Sequence, residues 1–326
     1  MNCCSNKKLI LQLGLLGILL LGLLPASVLA AEKKVYKDSP AKKELRLAAM
    51  IDDVDTIEKL LDQGVDVEGT NKRGRTALMN AAENGNILTA SVLLSRGANV
   101  NAISLGNCSA LTLATEMGHT EMTALLLEQG ADMHVRTRAG WNVLIVASRY
   151  GLLEMVDQLL FKGAFIEAVG NEGRNALMVA IDYGQFDVAK KLLDAGIKIH
   201  TVDKHGKSAL MYAAEQGNVE IISALVAAGA KVNEASGDGA TPLIWAASQG
   251  KHDALALLLQ NGADINAKDE MGVTALSEAI SVRSADSVKL LLDHNADPTI
   301  KDKDGKTAIS LGKASRSEAI RKLFTH

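Results

Sequence analysis

One spacing constrains this chain more than any other feature. Thr76-Ala77-Leu78, Ser109-Ala110-Leu111, Asn142-Val143-Leu144 and Asn175-Ala176-Leu177 each lie 33 residues apart. The register runs on through Ser208-Ala209-Leu210, Thr241-Pro242-Leu243, Thr274-Ala275-Leu276 and Thr307-Ala308-Ile309. A second marker follows each Leu by seven residues, at Gly85, Gly118, Gly151, Gly184, Gly217 and Gly250. A third stands at Gly97, Gly130, Gly163, Gly196, Gly229 and Gly262. A unit this short cannot bury its own apolar face, so a fixed period implies like units stacked on their neighbours. Full units occupy 71–103, 104–136, 137–169, 170–202, 203–235, 236–268 and 269–301. A degenerate unit at 38–70 and a fragment at 302–326 read as caps of a single array, and no second domain is expected.

Within a unit the residues predict two short helices and a hairpin. Thr, Ser or Asn at the first marker is an N-cap, whose side-chain oxygen takes an unpaired backbone N–H. Leu followed by Ala-Ala, as in Leu78 with Ala81-Ala82, gives the first helix a small-residue packing face. The Gly that follows supplies a left-handed turn. Leu pairs such as Leu93-Leu94 and Leu258-Leu259 build the second helix. Only 3% of residues are aromatic, so the core falls to Ala, Leu, Ile and Val, which suits closely stacked helices.

This pattern resembles the ankyrin repeat, whose 33-residue unit carries a T-P-L-H-x-A signature. The resemblance covers about residues 38–326 and implies an all-α helical-repeat solenoid, its antiparallel helix pairs joined by β-hairpin-like loops. It also implies ligands held by the hairpin tips and the concave face of the first helices. Departures are evident. The signature Pro survives only at Pro242, and Met79, Thr112, Ile145, Met178, Met211, Ile244 and Ser277 replace its His. Arg283 and Asn295 replace the two Gly of the 269–301 unit, where distortion is expected, and Asp52 replaces a Gly in the first cap.

The first thirty residues have another purpose. Lys7-Lys8, an apolar run from Leu9 to Leu24 and small residues at Val28-Leu29-Ala30 form the layout of a secretory signal peptide. Cleavage is expected after Ala30, leaving 31–37 as a short polar leader and placing the protein in the periplasm or outside the cell. An uncleaved run would make it a membrane-anchored scaffold instead, although the stretch is shorter than the ~20 residues of a typical span. A host-directed effector is a further alternative. Cleavage would remove Cys3 and Cys4 with the leader.

No chemistry gathers along the remainder. His200, His205 and Asp203 share a hairpin but read as solvated turn residues. Asp302-Lys303-Asp304-Gly305 lacks the terminal Glu of a calcium loop. Cys108 precedes a helix N-cap, yet the register sets no His or acid beside it. No catalytic residue, metal or cofactor is assigned. A net charge of −3 and pI near 6.2 give no global field for nucleic acid.

The residues that stacking does not dictate point to a protein partner. Trp141 is the fifth residue of its unit, Tyr150 and Tyr183 are fourteenth, and Tyr212 and Trp245 are tenth. Such residues anchor interfaces because they bury large rigid areas at small entropic cost. The same surface positions of residues 71–235 hold Lys72, Arg73, Arg75, Arg136, Arg138, Arg149, Arg174, Lys204 and Lys207, against Glu83, Glu116, Glu172, Asp182 and Glu215. The expected binding set is Trp141, Arg149, Tyr150, Tyr183, Arg138, Arg174, Tyr212 and Trp245. Its favoured partner is a protein with an acidic, apolar surface, with membrane contact only if the leader is retained.

Overall fold

The protein is seen here as a computed structural model that describes residues 38–325. The leader and its cleavage point lie outside the described residues. The chain divides into two compact units, one ending at Arg138 and one beginning at Ala139, and each is described by itself.

The first unit contains α1 (Pro40–Met50), α2 (Val54–Asp62), α3 (Ala77–Asn84), α4 (Ile87–Ser95), α5 (Ala110–Met117) and α6 (Thr120–Glu128). The second contains α7 (Val143–Arg149), α8 (Leu153–Phe161), α9 (Ala176–Asp182), α10 (Phe186–Asp194), α11 (Ala209–Gln216) and α12 (Val219–Ala227). It continues with α13 (Pro242–Ser248), α14 (His252–Gln260), α15 (Ala275–Ser281), α16 (Ala285–Asp293), α17 (Ala308–Ala314) and α18 (Glu318–Leu323). Odd-numbered helices pack on odd-numbered neighbours and even on even, so each unit has a layer of first helices and a layer of second helices. Between them lie the buried Leu and Ala of the triplets, with Ala81, Ala82, Ala213, Ala214, Ala246 and Ala247 letting backbones approach.

Every first helix of a full repeat starts as its residues dictate. Thr76, Ser109, Asn142, Asn175, Ser208, Thr241 and Thr274 accept the amide hydrogen of the residue three further on. Each such cap contributes about 1 kcal/mol. The hairpins are reduced to single antiparallel bridges, such as Val169 with Asn175 and Val202 with Ser208. Their tips are pinned by the unit's first residue. Asn71, Asp203 and Asp269 each use Oδ1 to accept the amides two and four residues on.

Two links join neighbouring repeats, and the residue pattern alone did not predict them. The second residue of a hairpin donates its amide to the carbonyl of the preceding hairpin's third residue: Leu105 to Arg73, Asn171 to Ala139, Lys204 to Glu172, Glu270 to Asp238 and Lys303 to Met271. The thirty-first residue offers a side-chain oxygen to the next unit's twenty-ninth amide: Glu68 to Asn99, Asn101 to Asp132, Glu167 to Lys198, Asn233 to Asp264 and Asn266 to Asp297. The signature His contributes to none of these junctions. At the His position itself, Met79, Ile145, Met178, Met211 and Ile244 are buried and exchange polar contact for packing.

The distortion expected in 269–301 is absent. Helices α15 and α16 keep the register of their neighbours, because Arg283 and Asn295 adopt the glycine conformation, with φ of 60° and 64°. Strain is thereby confined to single residues instead of spreading through the repeat. Asp52 does the same at φ 60°, and its carboxylate also accepts the Thr89 hydroxyl at 2.8 Å.

Candidate protein-interaction surface

The fifth and thirteenth residues of a unit face each other across the corner where hairpin meets first helix. Three units place a base and an acid there: Arg75 with Glu83, Arg174 with Asp182 at 2.5 Å, and Lys207 with Glu215 at 2.5 Å. In 137–169 the pair is rewritten. Trp141 takes the base's place and Arg149 the acid's, and the guanidinium carbon lies 5.5 Å from the Trp141 ring centroid. The same carbon lies 5.2 Å from the Tyr150 ring and 4.8 Å from that of Tyr183, which extends the group into the next repeat. One cation is thus surrounded by three ring quadrupoles, each contact contributing about 0.5–2 kcal/mol.

A second cation–aromatic group follows. Arg174 lies 5.0 Å from the Tyr212 ring centroid, and Lys207 reaches 4.4 Å from Tyr212 and 3.6 Å from Trp245. The Tyr212 hydroxyl donates to Asp203 Oδ2 at 2.8 Å. Burial, and then that hydrogen bond, hold the phenol in its protonated form far above the usual range. Asp203 is therefore occupied on both oxygens, by Tyr212 and by the amides of His205 and Lys207.

The expected site residues sort into distinct environments. Tyr183 is exposed at 43%, whereas Trp141, Arg149, Tyr150, Arg174 and Trp245 are half-buried and Tyr212 is 7% exposed. Trp141 is not a loose hairpin residue. Its ring covers Gly170 so closely that a Cβ there would meet Cδ1 at 2.4 Å. Arg138 lies in the first unit, exposed, with Nη2 donating to the Leu105 carbonyl at 3.1 Å. Four of the nine bases at the expected surface positions are already engaged by acids. Arg75, Arg174 and Lys207 are paired as above, and Lys204 lies 3.5 Å from Glu172. Cys108 is buried with Met79 and Leu113.

The family described as "Ankyrin repeats (3 copies)" matches residues 45–137, 129–203 and 199–269, and "Ankyrin repeats (many copies)" matches 258–311. The chain belongs to the ankyrin-repeat family. Among solved structures it is similar to the human ASB11 ankyrin repeat domain, at 27% identity and a TM-score of 0.61. That alignment covers 69% of this chain and 99% of the other. No curated protein matches it. Ankyrin repeats in general bind other proteins, and in this ankyrin chain the corner of hairpin and first helix carries both cation–aromatic groups.

Proposed function

We propose that this ankyrin-repeat protein is a non-catalytic scaffold that is exported and binds a partner protein through the hairpin and first-helix face of its second unit. The observation that carries the reading is Arg149 held against Trp141, Tyr150 and Tyr183. A cation already stacked on rings loses little rotamer freedom when a partner arrives, and Arg with Tyr and Trp is the composition of interface centres. The partner surface that suits this group is an apolar ridge with a carboxylate set against it. Export is supported by Lys7-Lys8, the apolar run and Val28-Leu29-Ala30, with the periplasm or the exterior as destination.

Two measurements test the reading. Crosslinking capture from the native compartment should retrieve one protein with the parent chain and lose it with Trp141→Ala or Tyr150→Ala. Mass spectrometry of the isolated protein should find Ala31 as its first residue. Capture indifferent to both variants removes the binding surface, and an intact leader converts the exported form to a tethered one.

A further inference from the structure

Two aromatic side chains stand apart from the groups at the hairpin corner. Phe161 ends α8 with 93% of its surface exposed, and Phe165, in the turn after that helix, is 55% exposed. Phe161 is the twenty-fifth residue of its unit, where the other full units carry only Ser, Glu, Asp, Ala or Gln. Phe165 is the twenty-ninth, where they carry only Asn, Asp or Lys. Stacking of the repeats therefore asks for neither ring. Covering each one is worth about tenfold or more in an association constant, which an isolated chain forgoes.

One repeat further along the same edge lies a hollow. A cleft of about 480 Å³ is lined by Leu193, Ile197, Ile199, His200 and Ala228, among others. Ala228 is the twenty-sixth residue of its unit, a position that holds a long side chain at Arg96, Gln129 and Lys162, so a short side chain leaves the space open. The hollow adjoins the rings. Helix α10 packs between α8 and α12, and Glu167, two residues past Phe165, accepts the amide of Lys198 in the cleft wall at 3.0 Å. Knob and hollow thus belong to one continuous surface of the second unit, about one helix spacing, ~10 Å, apart.

We infer that this edge binds a second copy of the chain, each copy setting Phe161 into the other's Ala228 cleft. A two-fold interface must be self-complementary, with a projection and its matching hollow on the same face. An axis midway between the two then satisfies both contacts at once, and the contact closes as a dimer. The edge carries both signs of charge, Lys162 and Lys198 with Glu167 and Asp194, so like copies meet without a shared field to repel them. Two Phe from each copy, at about 150–250 Å² per ring, supply about 600–1,000 Å² of buried surface. The cleft walls bring the total to about the 1,200 Å² at which specific interfaces begin, which suits a reversible, micromolar dimer. No residue of the Arg149 group takes part. The inference therefore goes beyond the partner reading without depending on it, and a dimer would present that group twice.

Sedimentation equilibrium of the whole protein, from about 1 to about 200 μM, tests it. A monomer–dimer equilibrium with a micromolar Kd is expected. Phe161→Asp removes the knob and Ala228→Arg fills the hollow, and each should weaken the dimer by about a hundredfold or more. Neither should lower the melting temperature, because both positions are exposed. An equimolar mixture of the two variants should associate more tightly than either alone, since Phe161 of one chain still meets the open cleft of the other. A parent that stays monomeric throughout, variants that dimerise as the parent does, or a mixture no tighter than its components would each overturn the proposal. A monomeric parent that binds anionic lipid vesicles, and loses them with Phe161→Asp, would assign the rings to a membrane surface instead. None of these failures touches the partner reading, which stands or falls with Trp141→Ala and Tyr150→Ala.

Discussion

Lys207 holds its ammonium 3.6 Å from the centroid of the Trp245 ring, across a repeat boundary. The same nitrogen pairs with Glu215 of its own repeat and lies 4.4 Å from the Tyr212 ring, so one side chain ties three elements together. It is only 8% exposed. Lysines are seldom buried so deeply unless every charge is matched, and here two rings and a carboxylate supply the match.

Removing that cation should therefore be felt as lost stability. Lys207→Ala leaves Glu215 without its base and two rings without their cation, at a cost of about 2 kcal/mol or more. Urea denaturation at fixed pH measures it. A change within about 0.5 kcal/mol, the range of ordinary surface substitutions, would show the contacts to be inconsequential.

Gly170→Ala isolates the packing of Trp141. Gly170 does not occupy the left-handed region, so Ala suits its backbone, and the new methyl conflicts chiefly with the indole at Cδ1 and Nε1, with the Ala139 carbonyl next at 3.1 Å. Displacing the ring should cost about 1–3 kcal/mol and shift the emission of Trp141 toward that of a solvated indole. Unchanged emission and unchanged melting would mean that Trp141 does not rest on Gly170.

The glycine-like residues predict opposite outcomes for two similar substitutions. Arg283→Gly relieves a φ of 60° and should gain about 1 kcal/mol. Asp52→Gly relieves the same angle but forfeits the hydrogen bond from Thr89, so the gain should vanish or reverse. Thermal melts of the two variants side by side decide it.

Glu278 makes stability depend on pH in a defined direction. Its folded-state pKa lies above the unfolded value, through burial and then Asp269. The folded chain therefore keeps this proton to higher pH. That favourable contribution is complete below the unfolded pKa and is lost as pH rises through the folded one. Glu278→Gln should melt above the parent at neutral pH, with the difference closing below about pH 4. A variant that melts lower at neutral pH would show the carboxylate to be stabilising.

The repeat boundaries, the caps at Thr76 or Asn142 and the glycine turns were legible in the residues because each is local. A hydroxyl meets an amide three positions on, and a left-handed turn needs Gly wherever it occurs. Trp141 and Arg149 could be assigned to a surface, but their contact could not. Residues eight apart meet only because the chain folds back between hairpin and helix, and pairing then depends on side-chain rotamers. The same ambiguity made Arg174 and Lys207 read as available charge when Asp182 and Glu215 already hold them. One signal was present for the fifth and thirteenth positions: base with acid at Arg75 and Glu83, Arg174 and Asp182, and Lys207 and Glu215, against aromatic with base at Trp141 and Arg149. The register put Tyr212 on the binding face but could not give its depth, since its burial depends on Asp203 accepting its hydroxyl.

The backbone link between hairpin tips has a consequence for how such a chain can change length. A linked tip gives one amide to the tip before it and offers one carbonyl to the tip after it, from the second residue to the third, as Lys204 does with Glu172 and Glu270 with Asp238. Cut at any matching pair of positions, a block of whole repeats leaves two ends of identical grammar. Duplication or excision of 33 residues can therefore be spliced in without inventing a new joint, whereas an insertion of any other length breaks the sentence at that point.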